Sequence, residues 1–93
     1  YNQKEADIKS LFASLKKKDF NETRKWVVNN LSVAPADLFR IIYDSSKEHL
    51  HPQSVPQAIL LLAGYQYKSA FVADQEINMV ACLTEIMATC KFK

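Results

Sequence analysis

The chain has 93 residues, of which 48% are hydrophobic and 24% charged, and its formal net charge is +2. This length allows one domain at most, and the composition excludes a disordered chain. One glycine and three prolines are too few for a turn-rich β protein. The charge is too small to indicate nucleic-acid or membrane binding by itself. We therefore expect residues 1–93 to form a single all-α domain, a compact bundle of about five helices.

Two amphipathic helices are predicted at the start of the chain. The first covers about residues 4–17, and its buried stripe is formed by apolar side chains at helical spacing, namely Ile8, Leu11, Phe12 and Leu15. Asp19 has the position of an N-cap for the second helix, over about residues 20–29. Glu22, three residues further on, is typical of a capping box.

A third helix is predicted from Pro35 to about Glu48. Proline suits the first turn of a helix, and the pair His51–Pro52 prevents continuation at the other end. Apolar and small residues at helical spacing define its inner stripe, which consists of Leu38, Ile41, Ile42 and Ser45, with Phe39 and Tyr43 beside it.

The stretch Val55–Phe92 is predicted to form a helical hairpin at the centre of the bundle. Between residues 58 and 65 its first helix has no polar side chain except the phenol of Tyr65. An apolar run that covers every face predicts neighbours on most sides of this helix. Gly64 is expected to let the backbone of the next helix, over about residues 75–90, approach closely.

Local signals also predict how the helices of this hairpin begin. Ser54 and Gln57 match a capping box for the first of them, and Asp74 matches an N-cap for the second. The segment 68–73 either continues the first helix or forms the turn. The second helix is predicted to have a narrow polar stripe, formed by Asn78, Glu85 and Thr89.

Few residues indicate catalysis, metal binding or cofactor binding. A single glycine excludes a glycine-rich phosphate loop. Exposed loop histidines explain His49 and His51 better than metal ligation does, because no cysteine or paired carboxylate accompanies them in sequence. Cys82 and Cys90 are too far apart on one helix for a disulfide, so we interpret them as small hydrophobic residues in a reducing intracellular setting. No catalytic, cofactor-binding or metal-ligating residue is predicted, and the chain is not expected to be an enzyme.

Two surface features indicate possible partners. Lys16, Lys17 and Lys18 form the densest charge cluster; they either contact a phosphate backbone weakly or solvate the end of the first helix, where they suit its dipole. The hairpin also has more apolar circumference than a small domain usually buries, which predicts an interface. The longest apolar run is far below the ~20 residues of a membrane span, so no membrane partner is expected.

Three groups of motifs follow one another along the chain. The first is Ile8-x-x-Leu11 with Leu15-Lys16-Lys17-Lys18-Asp19, and the second is Leu38-Phe39-x-Ile41-Ile42-Tyr43. The third is Tyr67-Lys68-x-Ala70, Ala73-Asp74-Gln75-Glu76-Ile77 and Ala81-x-Leu83 before a Lys-Phe-Lys tail. Their order resembles the C-terminal domain of clamp-loader ATPase subunits, and the third group is similar to the last helix of phage-type large subunits. The cellular relatives are the small subunits of replication factor C.

This resemblance implies a five-helix collar domain that holds five subunits of a sliding-clamp loader in a ring. ATP and Mg²⁺ would bind only in an N-terminal AAA+ module, none of whose motifs is present here. The expected partners are other loader subunits, with the sliding clamp and DNA contacted by the full-length protein inside a bacterial host or a nucleus. Under this hypothesis the candidate subunit-interface residues are Tyr65, Tyr67, Lys68 and Phe71.

An alternative hypothesis is a stand-alone helical module that binds nucleic acid or another protein. For nucleic acid, the candidate contacts are five basic residues of the first part of the chain, Lys9, Lys16, Lys17, Lys18 and Arg24. Phosphate binding by these side chains would weaken steeply as the salt concentration rises.

Overall fold

The computed structural model describes the backbone of residues 2–93 and the side chains of residues 8–93. Its helices are α1 (Asn2–Lys17), α2 (Phe20–Asn29), α3 (Pro35–His49), α4 (Val55–Lys68) and α5 (Gln75–Thr89), and a single 3₁₀ turn covers Pro52–Ser54. The described residues contain no β-strand, and their one β-bridge joins Leu50 to Phe92. The predicted all-α bundle of about five helices is confirmed.

Helix α5 lies at the centre of the bundle. It packs against α1, α2 and α4, whereas α3 packs against α1 and α4. Six of its side chains are buried, namely Asn78, Met79, Cys82, Leu83, Ile86 and Met87. The Asp74 side chain caps α5 as predicted, because it accepts the N–H of Ile77 at 3.2 Å. The apolar sequence of α5 therefore agrees with its buried position.

The first two helices follow the predictions closely. The stripe of α1 is buried at Ile8, Leu11, Phe12 and Leu15. Asp19 caps α2 by accepting the N–H of Glu22 at 3.1 Å, and α2 has the predicted bounds. Between the helices, Lys18 has a left-handed backbone with φ of 58°. Its N–H donates to the carbonyl of Leu15, and the N–H of Asp19 donates to that of Ser14, which is a Schellman ending for α1.

Helix α3 begins at Pro35 as predicted and ends at His49, one residue later than expected. Its buried residues are Leu38, Phe39, Ile42 and Ser46. Ser46 is therefore the buried serine rather than the predicted Ser45, and its hydroxyl donates to the carbonyl of Tyr43 at 2.8 Å. That bond satisfies the hydroxyl in an apolar environment, where an unpaired polar group is costly.

Helix α4 pairs with α5 as a hairpin and also packs against α3 and the 3₁₀ turn, but its outer face is exposed, so the prediction of an enclosed helix is wrong for that face. Only Ala58 and Leu62 are fully buried on it, and Leu60 is 69% exposed. Gly64 is also exposed, and a Cβ added there would meet nothing within 4 Å. The close approach expected between Gly64 and α5 is therefore absent. An apolar run shows that a helix could be enclosed, but the number of neighbouring helices determines whether it is.

Two polar residues of this half have other roles than those predicted. The Ser54 side chain makes no capping bond to α4; its hydroxyl accepts the N–H of Lys91 at 2.9 Å. Asn78 is only 6% exposed, so it is not part of an exposed polar stripe. Its amide donates to the carbonyl of Tyr65 at 3.1 Å, which ties α5 to the last turns of α4. Each of these polar groups bonds a distant segment that the local sequence could not indicate.

The C-terminal tail pairs with the segment that follows α3. The N–H of His51 donates to the carbonyl of Lys91 at 3.0 Å, and the N–H of Lys93 donates to that of His49 at 2.9 Å. This pairing brings residues 91–93 beside the end of α3. It also places the Phe92 ring 6.5 Å from that of Phe12, between ring centroids.

Candidate functional site

An exposed apolar surface follows the outer face of α4 and the turn after it. Leu60 and Tyr67, two turns apart, share that face, and Phe71 follows in the turn. Their exposed fractions are 69%, 72% and 71%, respectively. Ala63 and Gly64 lie exposed between them. We call these five residues the α4 strip; contiguous exposed apolar surface of this kind marks interaction sites.

The two aromatic side chains of the α4 strip pack against each other at its C-terminal end. The rings of Tyr67 and Phe71 meet edge to face with 5.1 Å between centroids. Such aromatic pairs contribute about 0.5–1.5 kcal/mol beyond their buried area. Ala63 and Gly64 form a low region between Leu60 and this pair, because neither has a long side chain. The strip therefore has large apolar side chains at its two ends and small residues between them.

A polar edge runs beside the α4 strip. The Lys68 ammonium lies 4.6 Å from the centroid of the Tyr65 ring, and the Tyr65 phenol donates to the Glu85 carboxylate. The hydrogen bond to Glu85, followed by burial, raises the pKa of Tyr65 to about 12. Tyr65 is thus half-buried and bonded within the domain.

The four candidate interface residues therefore lie together at the end of α4, although they differ in exposure. Tyr67, Lys68 and Phe71 are exposed, and Tyr65 is half-buried. Leu60 was not among the predicted interface residues. The spacing of Leu60 and Tyr67 at i and i+7 is the available signal, but the excess of apolar surface on the hairpin does not by itself indicate which of residues 58–65 are exposed.

The three lysines of the charge cluster have different environments. All three are exposed, and the Lys18 ammonium also donates to the carbonyl of Met87 at 2.8 Å, near the C-terminal end of α5. A cation is favourable at that end of a helix dipole. Lys18 therefore links α1 to α5, and the weak nucleic-acid contact of Lys16, Lys17 and Lys18 stays a prediction.

Lys16 lines a groove between α1, the end of α3 and the tail. The groove has a volume of about 350 Å³. Its basic and aromatic lining consists of Lys9, Phe12, Lys16, His49, Phe92 and Lys93. We call it the basic groove. Sequence reasoning could not assemble it, because the pairing of the tail with the end of α3 brings His49, Phe92 and Lys93 to the lysines of α1.

The histidines and cysteines give no sign of a metal centre. The His49 ring stacks on Phe12 with 4.5 Å between centroids and a 9° interplanar angle, so it is packed rather than free in a loop; His51 is exposed as predicted. Cys82 and Cys90 are buried and free, and burial raises the pKa of the Cys82 thiol to about 12. Among residues 8–93, no group of three or more His, Cys, Asp or Glu side chains could hold a metal ion.

The described residues thus form a small all-α bundle whose surface includes the α4 strip and the basic groove. In the part of the chain that the structure describes, no helix combines the length and apolar character needed to cross a bilayer. No protein-family model matches the chain, and no curated protein is significantly similar to it.

Proposed function

We propose that this domain assembles subunits, as the collar of a DNA-replication sliding-clamp loader. The observation that carries the proposal is the α4 strip, where Leu60, Tyr67 and Phe71 are each about 70% exposed. Burying a side chain of this size fully contributes on the order of 1.5–3 kcal/mol. A neighbouring chain that covers the strip would therefore gain a substantial part of the free energy needed for a stable contact.

The chemistry around the strip also suits an interface between protein subunits. Interfaces have an apolar, aromatic centre and a polar rim. Tyr67 and Phe71 supply the aromatic centre, and Lys68 supplies a rim cation that is exposed at the edge. The exposed Gly64, with open space above it, would let a partner's backbone come close.

The choice of a clamp-loader collar among assembly domains rests on the resemblance in motif order. In this proposal the partners are other loader subunits in a five-membered ring inside the cell. The AAA+ modules of the full-length subunits, which would bind ATP and Mg²⁺, open the sliding clamp and grip primer–template DNA. The domain itself performs no chemistry, and the ring keeps the mobile ATPase modules at high effective concentration.

The test is assembly of the full-length subunit, measured by sedimentation velocity. The double variant Tyr67→Ser/Phe71→Ser should shift the ring toward monomers, because it removes both aromatic rings from the strip. The matched control is Phe20→Ser/Val28→Ser on α2, where the side chains are also partly exposed, at 46% and 42%. The control should assemble like the unmodified protein. Unchanged assembly of the strip variant, or equal loss in both variants, would remove the proposal.

The alternative is a stand-alone module that binds protein or nucleic acid. Unlike the collar, it requires no ATPase module in the same protein. It is favoured if the natural gene has no Walker A motif upstream of these residues, because a loader subunit must have one. The upstream sequence therefore separates the two functions without any measurement on the domain.

A further inference from the structure

We infer that the basic groove binds one nucleotide unit of a single-stranded nucleic acid. Lysines of the groove contact phosphates of the strand, and the rings of the groove contact the base of that nucleotide. This site lies on α1, the end of α3 and the tail, whereas the α4 strip lies on α4 and the turn after it. It therefore uses different residues from the subunit contact and does not require the collar function.

The cations of the groove come from two separate segments. Lys9 and Lys16 lie on the same face of α1, about 10 Å apart along the axis at 1.5 Å per residue. Lys93 reaches the groove from the tail. Glu48 is the one acid in the lining, so positive charge exceeds negative charge there. Within the described residues neither Lys9 nor Lys16 forms an ion pair, which leaves both ammonium groups available to phosphates.

The rings of the groove distinguish it from an ordinary lysine-rich surface. Phe12 is only 3% exposed and supports the stacked His49 ring, which is half-buried. Phe92 is also half-buried, with its ring tilted 57° to that of Phe12. Sites for single strands combine basic grooves with aromatic side chains on which bases stack, and this stacking tolerates any base. His49 and Phe92 are the rings available for such a contact.

The size of the groove and the position of the rings indicate a single strand. Its volume of about 350 Å³ is at the lower end of the range for small-ligand sites, which suits one nucleotide. In a duplex the bases are stacked inside, where rings at the bottom of a groove cannot reach them. Free nucleotides share the same chemistry of a phosphate and a planar base, so the test must separate them from a strand.

The test is fluorescence anisotropy of a labelled ten-nucleotide oligothymidylate titrated with the 93-residue chain at low salt. We expect binding whose logarithmic salt slope is about 0.7 per phosphate contact. Unlabelled thymidine monophosphate should compete only at much higher concentration than the unlabelled oligonucleotide. Equal competition by the mononucleotide, or equally tight binding of a ten-base-pair duplex, would overturn the assignment to a single strand.

A double variant and its matched control test the lysine contacts. Lys9→Gln/Lys16→Gln should weaken binding at least tenfold and reduce the salt slope by about 1.4, since two phosphate contacts are lost. The matched control Lys25→Gln/Arg40→Gln removes the same charge from other faces, where Lys25 pairs with Glu22 and Arg40 with Asp44. The control should retain affinity within about twofold.

The aromatic contact is tested with Phe92→Leu, which keeps an apolar side chain in the tail. It should weaken oligonucleotide binding about fivefold or more and leave the salt slope unchanged, because stacking carries no charge. Circular dichroism of each variant checks that it is folded. Absence of binding by the unmodified chain at low salt, or equal weakening in the lysine variant and its control, would remove the inference. Neither result would bear on assembly through the α4 strip.

Discussion

The phenol of Tyr65 on α4 donates a hydrogen bond to the carboxylate of Glu85 on α5. A second bond supports the same contact, because the Asn78 amide donates to the backbone carbonyl of Tyr65. Together they fix the rotation of α4 on the central helix. With that rotation fixed, Leu60 and Tyr67 lie on the outer face and Leu62 on the inner one.

The Tyr65–Glu85 contact predicts a pH dependence of stability. The pKa of Tyr65 is raised from 10.0 to about 12, so the folded state holds this proton more tightly than the unfolded state does. The resulting stabilisation is complete below pH 10 and is lost as the pH rises from about 10 to about 12. The measurement is the difference between the 295 nm absorbance titrations of the unmodified protein and Tyr65→Phe. Glu85→Gln should lower the midpoint toward 10, and a midpoint already near 10 in the unmodified protein would contradict the contact.

Two leucines of α4 should respond very differently to truncation. Leu62 is 4% exposed, so Leu62→Ala leaves a cavity and should lower the free energy of unfolding by about 2–5 kcal/mol. Leu60 is 69% exposed, so Leu60→Ala should change it by less than about 0.5 kcal/mol. Urea denaturation of both variants measures the two values. A loss of about 2–5 kcal/mol in both variants would show that α4 has neighbours on most sides, as its sequence predicts.

Gly64 should be replaceable in the isolated domain. Its φ is not positive, and an added Cβ would have open space. Gly64→Ala should therefore stabilise the chain by about 0.5–1 kcal/mol, because alanine loses less backbone entropy in a helix interior. Thermal unfolding measures the gain, and the reciprocal change Ala63→Gly on the same strip should cause a loss of similar size. A lower Tm for Gly64→Ala would mean that glycine is required at this position within the domain.

Lys18 combines an unfavourable backbone with a favourable side-chain bond. Lys18→Met removes the bond from the ammonium to the Met87 carbonyl and should cost about 1 kcal/mol. Lys18→Gly loses the same bond but relieves the left-handed backbone, for which a non-glycine residue pays about 1–2 kcal/mol. The glycine variant should therefore be more stable than the methionine variant in urea denaturation. The reverse order would show that the left-handed conformation does not strain the chain.

The sequence was informative where one local pattern determines one structure. The stripe of α1 and the caps at Asp19 and Asp74 needed only helical spacing and side-chain chemistry within four residues. It was uninformative for α4, because an apolar run has no polar face from which to infer its orientation. Helix α5 has an equally apolar sequence and is enclosed, so composition alone could not indicate which of the two helices is more deeply buried.

The parts of the candidate sites that were missed depend on contacts between distant segments. Ser54 matches a local capping pattern, yet its hydroxyl bonds Lys91. The same tail pairing assembles the basic groove from residues that are far apart in sequence. The exposed pair Tyr67 and Phe71 belongs to the four candidate interface residues of the collar hypothesis, and their contact with a partner stays a prediction.

The central position of α5 has a consequence for how the domain folds during synthesis. Helices α1, α2 and α4 all pack on a segment that is translated after them. The earlier helices also pack on one another, α1 on α2 and α3 and α3 on α4, but until residues 75–89 leave the ribosome the faces of α1, α2 and α4 that contact α5 stay uncovered. We therefore expect a ribosome-bound nascent chain that stops before α5 to bind chaperones, and release of that last helix to trigger cooperative closure.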